Sequence, residues 1–368
     1  MRIGVPREIK VHEYRVGLTP ASVREFVQRD HVLVVESGAG AGIGASDDGY
    51  RAAGAVIGSV EEAFAADMIV KVKEPQPTEW ARLREGQILF TYLHLASDRP
   101  QTDGLLASGV TGIAYETITD ASGGLPLLSP MSEVAGRLSI QAAASSLEKH
   151  SGGQGLLLGG VPGVPAGRVV VLGGGVVGVQ AAKVAVGLGA EVTILDKSLA
   201  RLRFLDDLFG GRVRTRYSTA DTLEAEVREA DALIGAVLVP GARAPKLITR
   251  ELLRVMRAGA VFVDVAIDQG GCAETSRATT HADPTYVEEG IVHYCVANMP
   301  GAVPRTSTIA LNNATLPVGL ALADHGLAAL NDPHLAAGLN VHRGRITSRP
   351  VAESLGLEWS SFETTEAA

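Results

Sequence analysis

The sequence predicts an α/β protein of two doubly wound domains with a cleft between them, the first domain being discontinuous. Three observations carry this expectation. Short apolar runs alternate with helix-like stretches in two separate series, the pattern of βαβ units around mostly parallel sheets. The second series opens on a glycine-rich turn between an apolar strand and a helix. After that series the chain becomes helical again from Thr308, as expected of a chain that leaves one domain, builds another and returns. The expected division is residues 1–130 with 308–368 for one domain and 131–307 for the other. A length of 368 residues fits two to three domains of about 150 residues each.

The elements follow in order. Arg2 to Pro6 reads as a strand. Thr19 to Arg29 reads as a helix, with Thr19 as N-cap and Pro20 at the first helical position, where a missing N–H costs nothing. His31 to Glu36 (HVLVVE) is a strand stopped by the turn SGAGAG. Met68 to Lys73 (MIVKVK) and Gln87 to Leu93 (QILFTYL) are further strands. Residues 118–130, ITDASGGLPLLSP, are rich in turn formers and predict a break. A helix from Met131 to His150 follows, with Ser132 as its N-cap. The second series runs from Arg168 through VVVLG, a helix, VTILD, ALIGAVLV and VFVDVAI, and ends near Asn298. A helical stretch, a short strand-like stretch and a polar tail complete the chain.

Composition narrows the function classes. A hydrophobic fraction of 46% against 20% charged residues excludes bulk disorder. A formal charge of −8 argues against a nucleic-acid partner, which calls for a basic footprint. Cys272 and Cys295 cannot make a disulfide framework. The start MRIGVPREIK places Arg2, Arg7 and Lys10 where a signal peptide needs apolar residues. Nowhere does an apolar run reach the ~18 residues of a membrane span. The expectation is a cytoplasmic globular protein without a membrane partner.

Gly173-Gly-Gly175-Val-Val-Gly178 fits G-x-G-x-x-G, and its context makes it specific. The strand Arg168 to Leu172 precedes it, the helix Val176 to Leu188 follows it, and Asp196 ends the next strand. Gly173 permits the tight turn, Gly175 lets the backbone approach a pyrophosphate, and Gly178 lets helix and strand pack closely. The helix N-terminus presents unpaired N–H groups to the phosphate charge. The Asp196 carboxylate suits ribose hydroxyls and repels a 2′-phosphate, which favours NAD over NADP, although Lys197 and Arg201 nearby weaken that charge argument.

A hydride-transfer enzyme also needs groups that hold an anionic substrate and a group that moves protons. Arg15, in the loop EYRVGLTP, offers a fork of donors for a carboxylate. Lys71 and Lys73 end an apolar strand two residues apart, and spacing alone does not choose between them. His94, after ILFTYL, is a candidate acid–base, histidine being the side chain that titrates near neutrality. A capping or packed histidine is its bland rival. Asp268 and Asp264 both lie at the end of VFVDVAI, Asp264 being the more buried candidate. Cys272 has no partner histidine nearby and reads as a small packed residue.

Beyond these features the chain resembles the alanine dehydrogenase family. The resemblance rests on MRIGVPREIK…EYRVGLTP, VESGAGAGIG, KVKEP, FTYLHLAS, PMSEVAGR, GGVPGV, IGAVLVPGARAPKLIT, DVAIDQGGC and YCVANMPGAVPRTST, in order and nearly end to end. It implies reversible, NAD-dependent oxidative deamination of L-alanine to pyruvate and ammonia, two Rossmann-like domains, and a homohexamer. Carried over by motif, Arg15 and Lys73 bind substrate, and His94 and Asp268 are catalytic. The cofactor set gains Ser132, Val176, Val177, Asp196, Arg201, Ser218, Val237, Leu238, Val265, Ala266, Ile267, Asp268, Val296, Ala297, Asn298 and Met299. The family pattern thereby selects Lys73 over Lys71 and Asp268 over Asp264. VHEY between Lys10 and Arg15 departs from the family's asparagine-rich loop. Ala321, four residues before His325, stands where some relatives carry a carboxylate, so no metal is expected.

Overall fold

The computed structural model describes residues 1–237 and 244–362. Its strands in chain order are β1 (Arg2–Val5), β2 (Val32–Glu36), β3 (Val56–Gly58), β4 (Met68–Val70), β5 (Ile88–Thr91) and β6 (Thr111–Ala114). Then come β7 (Arg168–Leu172), β8 (Glu191–Asp196), β9 (Arg214–Tyr217), β10 (Ala232–Gly235), β11 (Val261–Asp264), β12 (Thr285–Glu288) and β13 (Ile291–Tyr294). The last two are β14 (Leu339–His342) and β15 (Arg345–Ile346). The chain forms two compact units, Met1–Met131 with Val303–Ala368, and Ser132–Ala302.

The first unit is built on one sheet ordered β15-β14-β6-β5-β4-β1-β2-β3. From β6 to β3 every pairing is parallel, and β14 and β15 add an antiparallel margin. The strand order reverses between β1 and β4, and such a reversal opens a crevice outside the carboxyl ends of the strands. Thr19 caps the helix Pro20–Val27 by accepting from the Ser22 N–H. The returning helix Pro304–His325 locks onto this region, for Asn312 accepts from Thr19 N and Ser22 Oγ and donates to Gly17 O. Since that helix starts at Pro304, a residue suited to a first turn, the second boundary falls at Ala302/Val303 rather than at residue 308.

The second unit carries the order β12-β13-β11-β10-β7-β8-β9, with every pairing parallel except β12 on β13. Alternate residues of its strands feed different cores. Val169, Val171, Ile194, Ile234 and Val263 pack into one, and Val170, Leu172, Leu195, Leu233 and Phe262 into the other. Both faces of this sheet are therefore covered at its centre, which explains why β7, β10 and β11 read as nearly unbroken apolar runs while the outer β9 and β12 do not. Among the described residues no helix is long and apolar enough to cross a membrane.

Several elements are shorter than their apolar runs suggest. The strand expected over Met68 to Lys73 ends at Val70, and that expected over Gln87 to Leu93 spans Ile88–Thr91. Within ALIGAVLV the strand among the described residues is Ala232–Gly235, and the last two residues of the run lie outside them. The helix expected over Met131 to His150 with Ser132 as N-cap spans Ser129–Ser146, so Ser132 lies inside its first turns and is not the N-cap.

Candidate active site

In the first unit, the segments that carry Arg15, Lys73 and His94 leave the carboxyl ends of β1, β4 and β5, which are neighbours in the sheet. One edge therefore collects them, as expected for an open parallel sheet. Arg15 is buried at 2% exposure. Glu13 holds it in a fork. One carboxylate oxygen accepts from Arg15 Nε at 2.7 Å and from its backbone N–H at 3.0 Å, and the other accepts from Nη2 at 2.5 Å. Arg15 Nη1 meets the Met131 sulfur at 3.0 Å. Burial favours the neutral form of Arg15, but the Glu13 carboxylate outweighs it and raises the affinity for the proton.

Lys71 and Lys73 have different surroundings. Lys71 is fully buried, with its ammonium 3.1 Å from Glu8 and 2.9 Å from Glu79. Against the cost of burial, these two carboxylates raise its affinity for the proton. Lys73 is only half-buried. Both lysines lie beyond the assigned end of β4, and their different burial rather than their two-residue spacing separates them. Glu74 falls below the usual carboxylate range, since Lys73 and Lys10 beside it outweigh the opposing effect of burial.

His94 is exposed at the end of β5 in left-handed backbone geometry (φ 51°). Glu116, after β6, accepts from its backbone N–H at 2.6 Å, and the same carboxylate stands 3.8 Å from its Nδ1. The imidazole stacks on Tyr92 with ring centroids 5.6 Å apart. Tyr92 in turn donates to Leu127 O at 2.6 Å, and burial raises its phenol above the ordinary range. Sequence reasoning missed Glu8, Glu13, Tyr92, Glu116 and Met131. The only signal for Tyr92 was its place two residues before His94 on the same run.

In the second unit the glycine turn has the geometry its sequence implies. Gly173 adopts φ +96°, and a Cβ there would meet Ala236 O at 2.8 Å. A Cβ on Gly178 would fall 1.9 Å from Gly173 O. At Gly175, the N-cap of the helix Val176–Gly187, a Cβ would meet nothing within 4 Å. Asp196 is pinned beside the turn, accepting from Gly174 N at 2.7 Å and Ser198 N at 2.8 Å. Arg201 Nε donates to Gly174 O.

The other cofactor candidates follow the carboxyl ends of the parallel strands. Ser218 comes after β9, Val237 after β10, Val265 to Asp268 after β11, and Val296 to Met299 after β13. Asn298 N donates to Asp268 Oδ1 at 3.3 Å, which brings two of them together. Val296 and Met299 are core residues, so only their backbone is available to a ligand. Ser132 sits one turn before Gly136, where a Cβ would clash with Val177 O at 2.3 Å; the two helices thus meet at the start of the glycine-turn helix. Leu238 lies outside the described residues. Asp264 is wholly buried and accepts from Ala266 N, Cys272 N and Ser276 Oγ, a scaffolding role, whereas Asp268 is exposed. Cys272 is buried, and burial raises its thiol well above the ordinary value.

Comparison with known proteins adds independent findings. The model described as alanine dehydrogenase/PNT, N-terminal domain, matches residues 4–135, and that for the C-terminal domain matches residues 139–349. An alanine dehydrogenase of Halomonas elongata is 63% identical over 363 residues, 98% of each chain. A solved L-alanine dehydrogenase is 54% identical with a TM-score of 0.94, covering 97% of this chain and 99% of its own. A transhydrogenase from Sinorhizobium meliloti has a TM-score of 0.82 at 24% identity, over 95% of this chain and 99% of its own, which is a likeness of fold alone. The two domain models and the 63% identical relative show that the chain belongs to the alanine dehydrogenase/PNT family.

Proposed function

We infer that the chain catalyses the reversible, NAD-dependent oxidative deamination of L-alanine to pyruvate and ammonia. The observation that carries this reading is the common carboxyl edge of β1, β4 and β5, from which the segments bearing Arg15, Lys73 and His94 emerge. The near full-length kinship with chains called alanine dehydrogenase supports it. A cytoplasmic homohexamer serving L-alanine catabolism belongs to the same reading.

The open space in front of Gly175 fits a dinucleotide, because a pyrophosphate needs bare backbone at a helix N-terminus. Gly173, Gly175, Val176, Val177 and Gly178 would hold the pyrophosphate, and Asp196 the ribose hydroxyls. A nicotinamide held there would supply the hydride acceptor for the substrate Cα–H. Arg15 and Lys73 bind the alanine carboxylate, and fixing its orientation contributes up to roughly 7–11 kcal/mol of barrier lowering in favourable cases. His94 takes a proton from the substrate nitrogen before oxidation. Asp268 orients the water that adds to the imine carbon. His94 then moves protons between the carbinolamine oxygen and nitrogen as ammonia departs and pyruvate forms.

Gly175→Ala and Gly178→Ala separate cofactor contact from packing. Gly175→Ala has room for its methyl group, so it keeps near-normal thermal stability while NADH affinity, followed by fluorescence titration, falls at least about tenfold. Gly178→Ala drives its methyl into backbone and loses both stability and NADH binding. Equal NADH affinity in the Gly175 variant and the parent would reject the turn as the pyrophosphate site. The reaction itself is tested by mixing the protein with NAD⁺ and each of a panel of L-amino acids while following NADH absorbance. Turnover of alanine supports the reading. Silence on every amino acid with NADH binding intact overturns it.

A further inference from the structure

We propose that Glu8 is a positioning residue that sets where the substrate-binding Lys73 stands and ties its segment to the loop that carries Arg15. The inference rests on the alanine reading above and deepens it. Glu8 and Arg15 share the loop between β1 and the helix Pro20–Val27. One oxygen of the buried Glu8 carboxylate accepts from Val72 N at 2.6 Å and Lys73 N at 3.3 Å, and the other accepts from Lys71 Nζ at 3.1 Å. On the sheet, β4 lies between β1 and β5, and beyond Val70 the β1 side has run out. Glu8 takes the place of the missing strand there.

The Lys73 peptide is thereby gripped on two sides, because its carbonyl accepts from Thr91 Oγ1 at 3.0 Å at the end of β5. The same loop presses on this segment a second time at Gly17, where a Cβ would lie 2.4 Å from Val70 O and 3.1 Å from Lys71 N. Charge balance separates this role from scaffolding. Lys71 is already neutralised by Glu79, which also accepts from Gln76 N at 2.7 Å to cap the helix Pro77–Trp80. A second carboxylate in so dry a place is costly unless its remaining lone pairs are used. Here they hold the two amides next to the substrate-binding lysine.

The prediction compares Glu8→Gln, Glu8→Asp and Glu79→Gln with the parent enzyme. Glu8→Gln leaves Lys71 paired with Glu79, so the unit keeps its neutral ion pair. Its amide must turn a donor toward either Lys71 or the two backbone N–H groups. Glu8→Asp keeps the charge but withdraws the carboxylate by one methylene. Misplacing a binding group by about 1 Å can cost up to about a hundredfold. The expected result is that KM for alanine and pyruvate rises at least about tenfold in both Glu8 variants, more than kcat falls, with NADH affinity unchanged. Glu79→Gln makes the same charge change without touching the Lys73 backbone, and its KM stays near that of the parent. Parental KM in both Glu8 variants, or an equal rise in Glu79→Gln, overturns the proposal while leaving the alanine reading intact. A parent enzyme that does not turn over alanine overturns both.

Discussion

His94→Ala lowers kcat for alanine oxidation by about 10²- to 10⁴-fold, the usual worth of a positioned acid–base, while the Kd for NADH stays within about twofold. The imidazole is exposed, lies flat on Tyr92 and stands 3.8 Å from the Glu116 carboxylate, so both its face and its orientation are set by neighbours. Its backbone is left-handed, a geometry that side-chain-bearing residues adopt at a cost. The Glu116 carboxylate sustains that geometry by accepting from Leu93 N and His94 N. His94→Asn therefore makes the better second variant, since asparagine tolerates the left-handed region and lacks a group that titrates near neutrality. The same loss is expected for both variants, measured by steady-state kinetics in both directions together with NADH titration. Turnover near the parental value in both would remove His94 from the chemistry.

How much of this was legible in the sequence depends on how local the determining physics is. The glycine turn was readable because each of its constraints is a backbone constraint set within a few residues, as the 1.9 Å approach at Gly178 shows. Thr19 and Pro20 were readable for the same reason. Ser132 was misread as a cap because Pro130 looks like a break. Proline is tolerated in the first turn of a helix, where its missing N–H has no intrahelical partner to lose, and the helix starts at Ser129. The ends of β4 and β5 were overshot because the apolar run goes on past Val70 and Thr91, where the two segments still pair through Lys71 N to Phe90 O and Tyr92 N to Val72 O although the regular strands have ended. The difference between Lys71 and Lys73 was not legible from spacing at all, since Glu8 reaches Lys71 from another loop. Glu13 was overlooked because two residues of opposite charge in a polar loop read as solvated until the fold buries them.

Lys71→Met unfolds at a temperature about 6–20 °C below the parent, whereas Lys73→Met unfolds near the parental temperature and instead raises KM for pyruvate. The difference follows from burial. The side chains of Lys71, Glu8 and Glu79 are 0%, 1% and 4% exposed, so removing the ammonium strands two carboxylates in a dry interior. Breaking a buried ion pair from one side typically costs about 3–5 kcal/mol. For a unit of this size each kcal/mol moves the midpoint by about 2–4 °C. Lys73 is half-buried and loses far less scaffold when shortened to methionine. If stranded charge is the cause, Glu8→Gln and Glu79→Gln added to Lys71→Met recover much of the lost midpoint, because a matched set of uncharged groups need not be less stable than a buried ion network. Calorimetry of the parent and these three variants decides it. Equal midpoints for Lys71→Met and Lys73→Met would show that the two ammonium groups do not divide between scaffold and substrate.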